Sequence, residues 1–412
     1  MKLFKMCALA CLLALLCLGV VPNSRSARAN DADKLNATEA TTGFDNLTNG
    51  HIDQAAFDVA AGVFAEAESI ADGIGPVYNA LACVDCHQNP VVGGNSQVLE
   101  VRAGRFSRGV FTDHPGGSLI HSRAIDAAIQ ERIADDQFVR TFRASPSLLG
   151  LGFVEAIADQ TLINIANLQP LQSGGAIRGQ VISVDIVESP GVQRVGRFGW
   201  KNQQASLLSF SGDAYVNEMG ITTPLFPVEN TSNGNSIVAY DPLPIEPDDG
   251  DNGDLELFTD FMRATKAPSR DAELAATPDA QAGAVIFNQI GCAICHTPSI
   301  TTAPAGTVLN GGAFTVSAAL GDKIIHPYSD FAMHEVGTGD GIVQGFPSAR
   351  NKVRTSPLWG LRTRGRFMHD GATLTINEAV LRHGGEASFV TFLYRFLPSH
   401  DRGKVLTFLK SL

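Results

Sequence analysis

Apolar residues recur with helical spacing in several stretches of the chain. Helical periodicity runs from residue 57 to about Ala71 and again over 278–290, and a glycine-containing turn follows each run. Gly283 and Phe287 are four residues apart and therefore share one face of the second helix. The same spacing predicts further helices over 122–142, 377–382 and 401–412.

Two other stretches have a different pattern. Residues 176–198 alternate between apolar and polar positions and are rich in valine, which predicts a β-hairpin that turns near Pro190 and Gly191. Residues 227–254 are acidic and rich in proline, glycine and asparagine, as is typical of a linker. We therefore expect two domains, over 30–226 and 255–412, with the hairpin inserted in the first.

The first 29 residues resemble a targeting segment rather than part of a fold. Basic residues at the start are followed by an apolar block over 6–21 and then by Ala27-Arg28-Ala29, the order found in secretory signal peptides. The apolar block is too short to favour a membrane span. We expect residues 1–29 to be a signal peptide, which predicts an exported, periplasmic protein that does not span the membrane.

The charge of the chain narrows the range of partners. Its formal net charge is −11, and removal of residues 1–29, which hold four basic and no acidic residues, would lower it to −15. This excess of acidic groups argues against binding to nucleic acid or to an anionic membrane surface. It is compatible with a basic electron-transfer partner and equally with simple solubility.

Every cysteine beyond residue 29 belongs to a Cys-x-x-Cys-His motif. A zinc site would need paired or spaced ligands, a dithiol redox site would not need the histidine, and an exported protein could use four cysteines for disulfides. Only covalent attachment of a c-type haem requires a histidine directly after the second cysteine. The residues concerned are Cys83, Cys86, His87, Cys292, Cys295 and His296.

Two c-type haems have consequences for the fold. Each cysteine pair would form thioethers with one haem, and the following histidine would be the proximal ligand of its iron. The motifs are far apart in the sequence, which suggests one haem per domain. The expected fold is mainly α, with two cytochrome c-like haem domains, a small β-hairpin in the first, and an amphipathic C-terminal helix that closes the second.

Several segments resemble the bacterial di-haem cytochrome c peroxidases. These are "CHQNPVVGG" at the first haem motif, "FGWKNQQASLLSFSGDAYVNEMG" farther along, and "TSPLWGLRTRGRFMHDGATLTINEAV" in the second half. The segments "SPSLLGLGFVEA", "NEMGITTPLFP" and "HGGEA" are similar to hallmarks of a related group, the di-haem oxidoreductases, also called thiol oxidoreductases. The resemblance touches both halves of the chain in the same order.

The resemblance implies roles for two residues of the middle segment. Glu218 in "NEMG" would be the acid/base near the first haem that moves a proton between the two oxygens of peroxide, work that suits a carboxyl group with a tuned pKa. Trp200 would lie between the haems and help electrons to cross. Taken without the resemblance, Glu218 is an ordinary surface acid and Trp200 a core indole.

The far side of the first haem departs from the peroxidase pattern. The region that holds a second histidine in the peroxidases reads "VRAGRFSRGV" here and contains arginines instead. We expect an open or water-bound iron, with Arg105 stabilising negative charge that develops on peroxide. His121 remains an alternative ligand.

The second haem is expected to have two histidine ligands. In the peroxidases a methionine lies 14 residues beyond the histidine of the His-Asp-Gly motif and binds the C-terminal haem. The same count from His369 reaches His383 without a gap, so the resemblance implies the pair His296 and His383. His369 and Asp370 are then structural residues. Histidine in place of methionine should lower the reduction potential of that haem.

Three functions remain open at this point. The first is a peroxidase-like oxidoreductase that activates peroxide at the N-terminal haem with electrons relayed through the C-terminal haem. The second is a di-haem electron-transfer cytochrome without a substrate site, and the third is an enzyme that oxidises a protein or a thiol. The resemblance implies two haems, calcium as a further candidate cofactor, hydrogen peroxide or another small oxidant as substrate, and a small electron-transfer protein as donor.

Overall fold

The structure is a computed structural model that describes residues 37–241, 243 and 253–412. Thr38–Leu412 form one compact unit. The predicted signal peptide over 1–29 and most of the acidic end of the predicted linker lie outside the described residues. Within the part of the chain that is described, no helix is long and apolar enough to cross a membrane.

The prediction of a mainly α fold is wrong. Among the residues that the structure describes, helices of all kinds account for only 34% and strands for 17%, in many small sheets, so the fold mixes both kinds of structure. Frequent breaks explain the short elements, since the chain holds 41 glycines and 20 prolines. The α-helices are α1 (Gln54–Ala65), α2 (Leu151–Glu155), α3 (Asp159–Gln172), α4 (Leu207–Ala214), α5 (Asp254–Ala264), α6 (Ala272–Ala275), α7 (Pro278–Gln289), α8 (Ile376–Leu381), α9 (Ser388–Phe396) and α10 (Ser399–Lys410).

The strands are mostly two or three residues long. In the largest sheet, the strand Leu99–Ser107 pairs with three others, Val110–Asp113, Leu119–Ile120 and Val139–Ala144. A three-stranded sheet has the order Thr38–Glu39, Lys323–Ile325 and Ile300–Thr301. The strands are β1 (Thr38–Glu39), β2 (Val77–Tyr78), β3 (Leu99–Ser107), β4 (Val110–Asp113), β5 (Leu119–Ile120), β6 (Arg123–Ala124), β7 (Val139–Ala144), β8 (Ser183–Asp185), β9 (Gln193–Val195), β10 (Thr231–Ser232), β11 (Asn235–Ser236), β12 (Ile300–Thr301), β13 (Val308–Leu309), β14 (Phe314–Thr315), β15 (Lys323–Ile325), β16 (Met333–His334) and β17 (Val353–Arg354).

The helix predicted over 122–142 does not form. Its first part contains β6 and a short 3₁₀ turn, and its last part is β7, which pairs antiparallel with β3 from Leu99↔Ala144 to Gly104↔Val139. The residues from Val139 to Ala144 alternate between less and more exposed positions, as a strand of a half-covered sheet does. Pairing with β3 therefore determines the structure here, although the isoleucines before Val139 have the spacing of a helix.

Other sequence predictions agree with the structure. In the alternating stretch, β8 and β9 form an antiparallel pair with Ser183 opposite Val195. Helix α8 covers nearly all of 377–382, and α10 covers most of 401–412. The first predicted helix is shorter than expected, because α1 ends at Ala65 and a 3₁₀ turn follows only at Ile70–Asp72.

The main core contains residues from both halves of the chain. Phe57 and Phe64 of α1 pack against Phe261 of α5, with ring centroids 5.4 and 4.6 Å apart. Strand β1 pairs in parallel with β15, so the first described residues are joined to the second half. The division into domains over 30–226 and 255–412 stays a prediction.

A smaller core holds the C-terminal helices together. Helix α7 crosses α10 at Gly283, where a side chain would collide with the carbonyl oxygen of Lys404. One turn later, the rings of Phe287 and Phe408 pack 5.3 Å apart. The glycine and the phenylalanine share one face, as the sequence predicts, and α7 leads directly into the second Cys-x-x-Cys-His motif.

Candidate functional site

The two Cys-x-x-Cys-His motifs have the same local structure. Each starts with a 3₁₀ turn, at Cys83–Asp85 and at Cys292–Ile294. In each, the amide of the histidine donates to the carbonyl oxygen of the first cysteine, at 2.9 Å for His87 and 3.0 Å for His296. A single helical turn therefore brings two thiols and an imidazole together in both places.

The state of the cysteines bears on the alternatives to haem. All four thiols are free, so neither pair forms a disulfide. Burial raises the pKa of Cys83, Cys86 and Cys292 to about 12, so these thiols are neutral near pH 7. Free, buried thiols beside a histidine argue against a disulfide and are compatible with thioether attachment of a haem.

His296 faces His383 across a cavity. The cavity, called here the His296 cavity, is lined among others by Cys292, Cys295, Trp200 and both histidines. The two imidazole centroids are 6.4 Å apart. Two metal–nitrogen bonds of about 2 Å each, added to the two ring radii, span about this distance. The residues present therefore fit a haem iron between His296 and His383.

Backbone carbonyl groups orient both imidazoles. Nδ1 of His296 lies 2.9 Å from the carbonyl oxygen of Tyr328, and Nδ1 of His383 lies 2.8 Å from that of Ala379. A carbonyl oxygen can only accept, so each Nδ1 carries the hydrogen and each Nε2 keeps its lone pair. Burial lowers the pKa of His296 to about 4 and also lowers that of His383, which keeps both rings neutral.

His87 lines a second, polar cavity. This cavity, called here the His87 cavity, is lined among others by His121, Glu218 and Trp200. His121 is poorly suited to bind an iron there: Nδ1 lies 3.0 Å from a Glu131 carboxylate oxygen and Nε2 lies 2.9 Å from the Asn217 carbonyl oxygen. Both of its nitrogens lie within hydrogen-bond distance of protein oxygen atoms, so neither is free to bind an iron. The His121 alternative is therefore not supported by the geometry.

Glu218 is positioned by a π-helical turn, Tyr215–Met219, that continues α4. The carbonyl oxygen of Glu218 accepts from the amides of Asn79 and Ala80, four and three residues before Cys83. Gly220 ends the turn with φ +74°, and a side chain there would come within 2.6 Å of the Val77 carbonyl oxygen. The "NEMG" segment is thus fixed against the strand that leads into the first haem motif.

The electrostatics of Glu218 suit an acid/base group. Its carboxyl group faces the His87 cavity and accepts a hydrogen bond of 3.0 Å from the Asn79 side chain. Burial and the nearby charge of Glu100 raise its pKa to about 8, against the opposing effects of Arg102 and Asn79. A carboxyl group with a pKa near neutrality can both give and take a proton.

Arg105 does not join this group. It lies on the exposed side of β3 and forms an ion pair of 2.9 Å with Asp136. Arg102 lines the His87 cavity instead and donates to Glu100 at 3.0 Å. Burial acts against its charge, but the carboxylates of Glu100 and Glu218 outweigh burial and raise the pKa of Arg102. Positions three apart on a strand lie on opposite faces, so only one of these arginines can face the cavity.

Trp200 forms part of the wall between the two cavities and lines both of them. Its Nε1 donates to the carbonyl oxygen of Ala144 at 2.8 Å, and its ring meets that of His369 edge-on at 6.0 Å. An indole held in this place contacts both candidate haem sites.

The His-Asp-Gly turn supports the second site structurally. Asp370 pairs with Arg382, the residue before His383, through hydrogen bonds of 3.0 and 2.5 Å. The turn therefore fixes the end of α8 from which His383 projects.

Several cationic residues of these cavities were not predicted from the sequence, among them Lys201, Arg354 and Arg364. Lys201, in the His87 cavity, pairs with Asp340 at 2.9 Å, and burial lowers its pKa to about 8. Arg354 and Arg364 line the His296 cavity. Lys201 follows Trp200 directly, but no motif distinguishes these three residues from surface cations in the sequence.

Comparison with known proteins identifies the family. The family model described as "di-haem oxidoreductase, putative peroxidase" matches residues 118–412. No curated protein matches the chain.

Three solved structures are similar at low identity, and their likeness carries no argument about activity. Hydrazine synthase of Kuenenia stuttgartiensis is 12% identical with a TM-score of 0.40, over 94% of both chains. A MauG-like protein associated with microbial copper homeostasis is 15% identical with a TM-score of 0.41, over 92% of this chain and 93% of that one. The diheme peroxidase BthA of Burkholderia thailandensis is 13% identical with a TM-score of 0.42, over 91% and 94%. Since the family model covers well over half of the chain, this protein belongs to the di-haem oxidoreductase family, which implies two haems.

Proposed function

We propose that the protein is an exported di-haem c-type oxidoreductase that reduces hydrogen peroxide or a similar small oxidant. The two haems, attached at Cys83/Cys86 and Cys292/Cys295, would supply the irons that exchange electrons with substrate and donor. His87 would be the only protein ligand of the first iron, and His296 and His383 would be the ligands of the second. A small electron-transfer protein would be the electron donor, and calcium remains a further candidate cofactor.

One observation carries the proposal. Glu218, whose pKa is raised to about 8, shares a polar cavity with His87, and both nitrogens of His121 in that cavity are engaged elsewhere. A pure electron carrier needs neither a free coordination position nor a proton-exchanging group. A free coordination position next to a proton-exchanging group therefore favours a substrate site at the first haem.

The remaining residues have supporting roles in this proposal. Arg102, rather than Arg105, would stabilise negative charge on a bound oxidant, since it is the arginine that lines the His87 cavity. Trp200, in the wall shared by both cavities, would carry electrons from the second site to the first.

The facing pair of His296 and His383 supports one alternative function, the oxidation of a protein or a thiol. Two histidine ligands lower the potential of a haem relative to histidine and methionine. The second haem would then accept electrons poorly from donors of high potential, which favours a protein or thiol as the group that is oxidised.

The first experiment changes Glu218 to Gln, which keeps the shape and the hydrogen bond from Asn79 but cannot exchange the proton. Peroxide turnover should fall by about 100-fold or more, the scale expected for the loss of an acid/base group, while two haems stay bound. Glu273→Gln, on the exposed face of α6, is the matched control and should leave turnover unchanged.

A second measurement separates an enzyme from a carrier. Electron paramagnetic resonance of the ferric protein should show one high-spin and one low-spin haem. Two low-spin haems, or full peroxide turnover in Glu218→Gln, would contradict the proposed function.

A further inference from the structure

Two arginines contribute their charges to the lining of the His296 cavity. Arg354 is only 5% exposed, and both Arg354 and Arg364 line the cavity. Among the residues that the structure describes, no carboxylate forms an ion pair with either guanidinium. A charge that is removed from water without an ion-pair partner costs free energy of folding. Two such guanidinium groups in one cavity therefore need an explanation.

Arg354 belongs to β17 and is held beside Trp200. Its amide donates to the Trp200 carbonyl oxygen at 2.9 Å, and its Nε donates to the Gly199 carbonyl oxygen at 2.7 Å. The guanidinium carbon lies 6.0 Å from the centre of the Trp200 ring. Its two terminal nitrogens form no hydrogen bond to any described residue, although they are the groups that usually bind a carboxylate.

Arg364 is held by the segment that precedes it. Its terminal nitrogens donate to the carbonyl oxygens of Pro357 and Trp359, at 2.6 and 3.4 Å, and to the Ser356 hydroxyl at 3.3 Å. Its Nε is buried and has no partner among the described residues. Burial lowers the pKa of both Arg354 and Arg364 to about 10. For Arg354 the neighbouring charge of Arg364 adds to this effect, and the negative charge of Asp330 offsets only part of it.

A ligand with two carboxylates would satisfy both cations. A haem attached at Cys292 and Cys295 brings two propionate groups into the same cavity, and arginine is the side chain best matched to carboxylate geometry. We propose that Arg354 and Arg364 bind the propionates of the C-terminal haem. Arg366, which also lines the cavity, is exposed to water and does not need such a partner.

The position of Arg354 extends the inference to electron transfer. Because this guanidinium lies beside Trp200, a propionate bound to it would neutralise a positive charge next to the ring. An unneutralised cation would oppose electron loss from the indole. The inference rests on the proposed function only in requiring a haem at the second motif.

The test compares charge removal with charge retention in the haem-loaded protein. Arg354→Met and Arg364→Met remove the cation, Arg354→Lys and Arg364→Lys keep it, and Arg362→Met removes an exposed arginine of the same segment as a control. The readouts are haems per chain, the propionate bending band in resonance Raman spectra, and the reduction potential of the second haem.

In the methionine variants, we expect the propionate band of the second haem to shift and its potential to change. Failure to attach that haem while the lysine variant attaches it would support the same conclusion. The lysine variants should keep most of the wild-type potential, and Arg362→Met all of it. The direction of the change is fixed by charge: loss of a buried cation disfavours the reduced haem and should lower its reduction equilibrium constant roughly tenfold or more.

Unchanged Raman bands and potentials in both methionine variants would overturn the inference. So would equal losses in the methionine and lysine variants, since these would show that charge is not what matters. A wild-type protein with two haems but no peroxide turnover would contradict the proposed function and leave this test intact.

Discussion

Replacement of Gly283 by alanine tests the packing that positions the second haem motif. A Cβ atom at this position would lie 2.0 Å from the Lys404 carbonyl oxygen and 2.9 Å from Cβ of Phe408. The first contact is with backbone, so it cannot be relieved by a side-chain rotation. Helix α7 would have to move away from α10, and the ring packing of Phe287 on Phe408 would loosen.

The magnitude follows from two opposing effects. Alanine in place of glycine favours a helix by about 0.5–1 kcal/mol. Overpacking of a close helix contact costs about 1–3 kcal/mol, or more where backbone must move. We therefore expect Gly283→Ala to lower the free energy of unfolding by about 1–2 kcal/mol, despite its better helix propensity.

Gly62 provides the matched control, because it also lies within a helix, α1, but is exposed. A Cβ atom added there would have no described neighbour within 4 Å outside the backbone of its own helix. Gly62→Ala should raise the free energy of unfolding by about 0.5–1 kcal/mol. Urea denaturation followed by circular dichroism gives both values. If both variants shift the urea transition in the same direction, helices α7 and α10 do not approach each other as closely at Gly283 as the structure indicates.

Three further predictions concern the haem sites. The double variant Cys83→Ala, Cys86→Ala should carry one haem where the wild type carries two, as counted by the pyridine haemochrome assay, and a wild type without bound haem would end the proposal. His383→Ala should abolish the low-spin signal of the second haem, and the wild type should lack a methionine-to-iron band in near-infrared magnetic circular dichroism. The third concerns pH: burial raises the pKa of Glu218 from 4.5 to about 8, so the folded state holds a proton that the unfolded state releases between these values. Stability should therefore fall as the pH rises from 4.5 to 8, and urea titrations of Glu218→Gln should show a smaller fall than those of the wild type and of Glu273→Gln.

Local patterns in the sequence were sufficient for features that depend on short stretches of chain. The Cys-x-x-Cys-His motifs form matching turns because the hydrogen bond from the histidine amide to the first cysteine closes within five residues. Gly283 and Phe287 share a face because helical geometry alone places residues four apart together. The resemblance to the peroxidases indicated His383, which does face His296.

Strand pairing decided what the sequence could not. The segment over 122–142 has helical spacing, but β7 forms at its end because β3 offers an edge to pair with. The sequence pointed to Arg105, but both Arg105 and Arg102 lie on β3, where alternation turns Arg102 toward the His87 cavity and Arg105 toward solvent. The error in fold class has this origin too, because short strands depend on partners far away in the chain.

The charges of the candidate sites are likewise a property of the tertiary structure. The sequence identified Glu218 only through resemblance, whereas its raised pKa comes from burial and from Glu100, which lies 118 positions earlier in the chain. Arg354 and Arg364 have no sequence signature, and only the fold shows that both line the His296 cavity without an ion pair to any described carboxylate. A Cys-x-x-Cys-His motif folds within one turn of the chain, because its hydrogen bond is local. The electrostatic field at the candidate haem sites comes from residues of distant segments, so it is fixed only when those segments pack together.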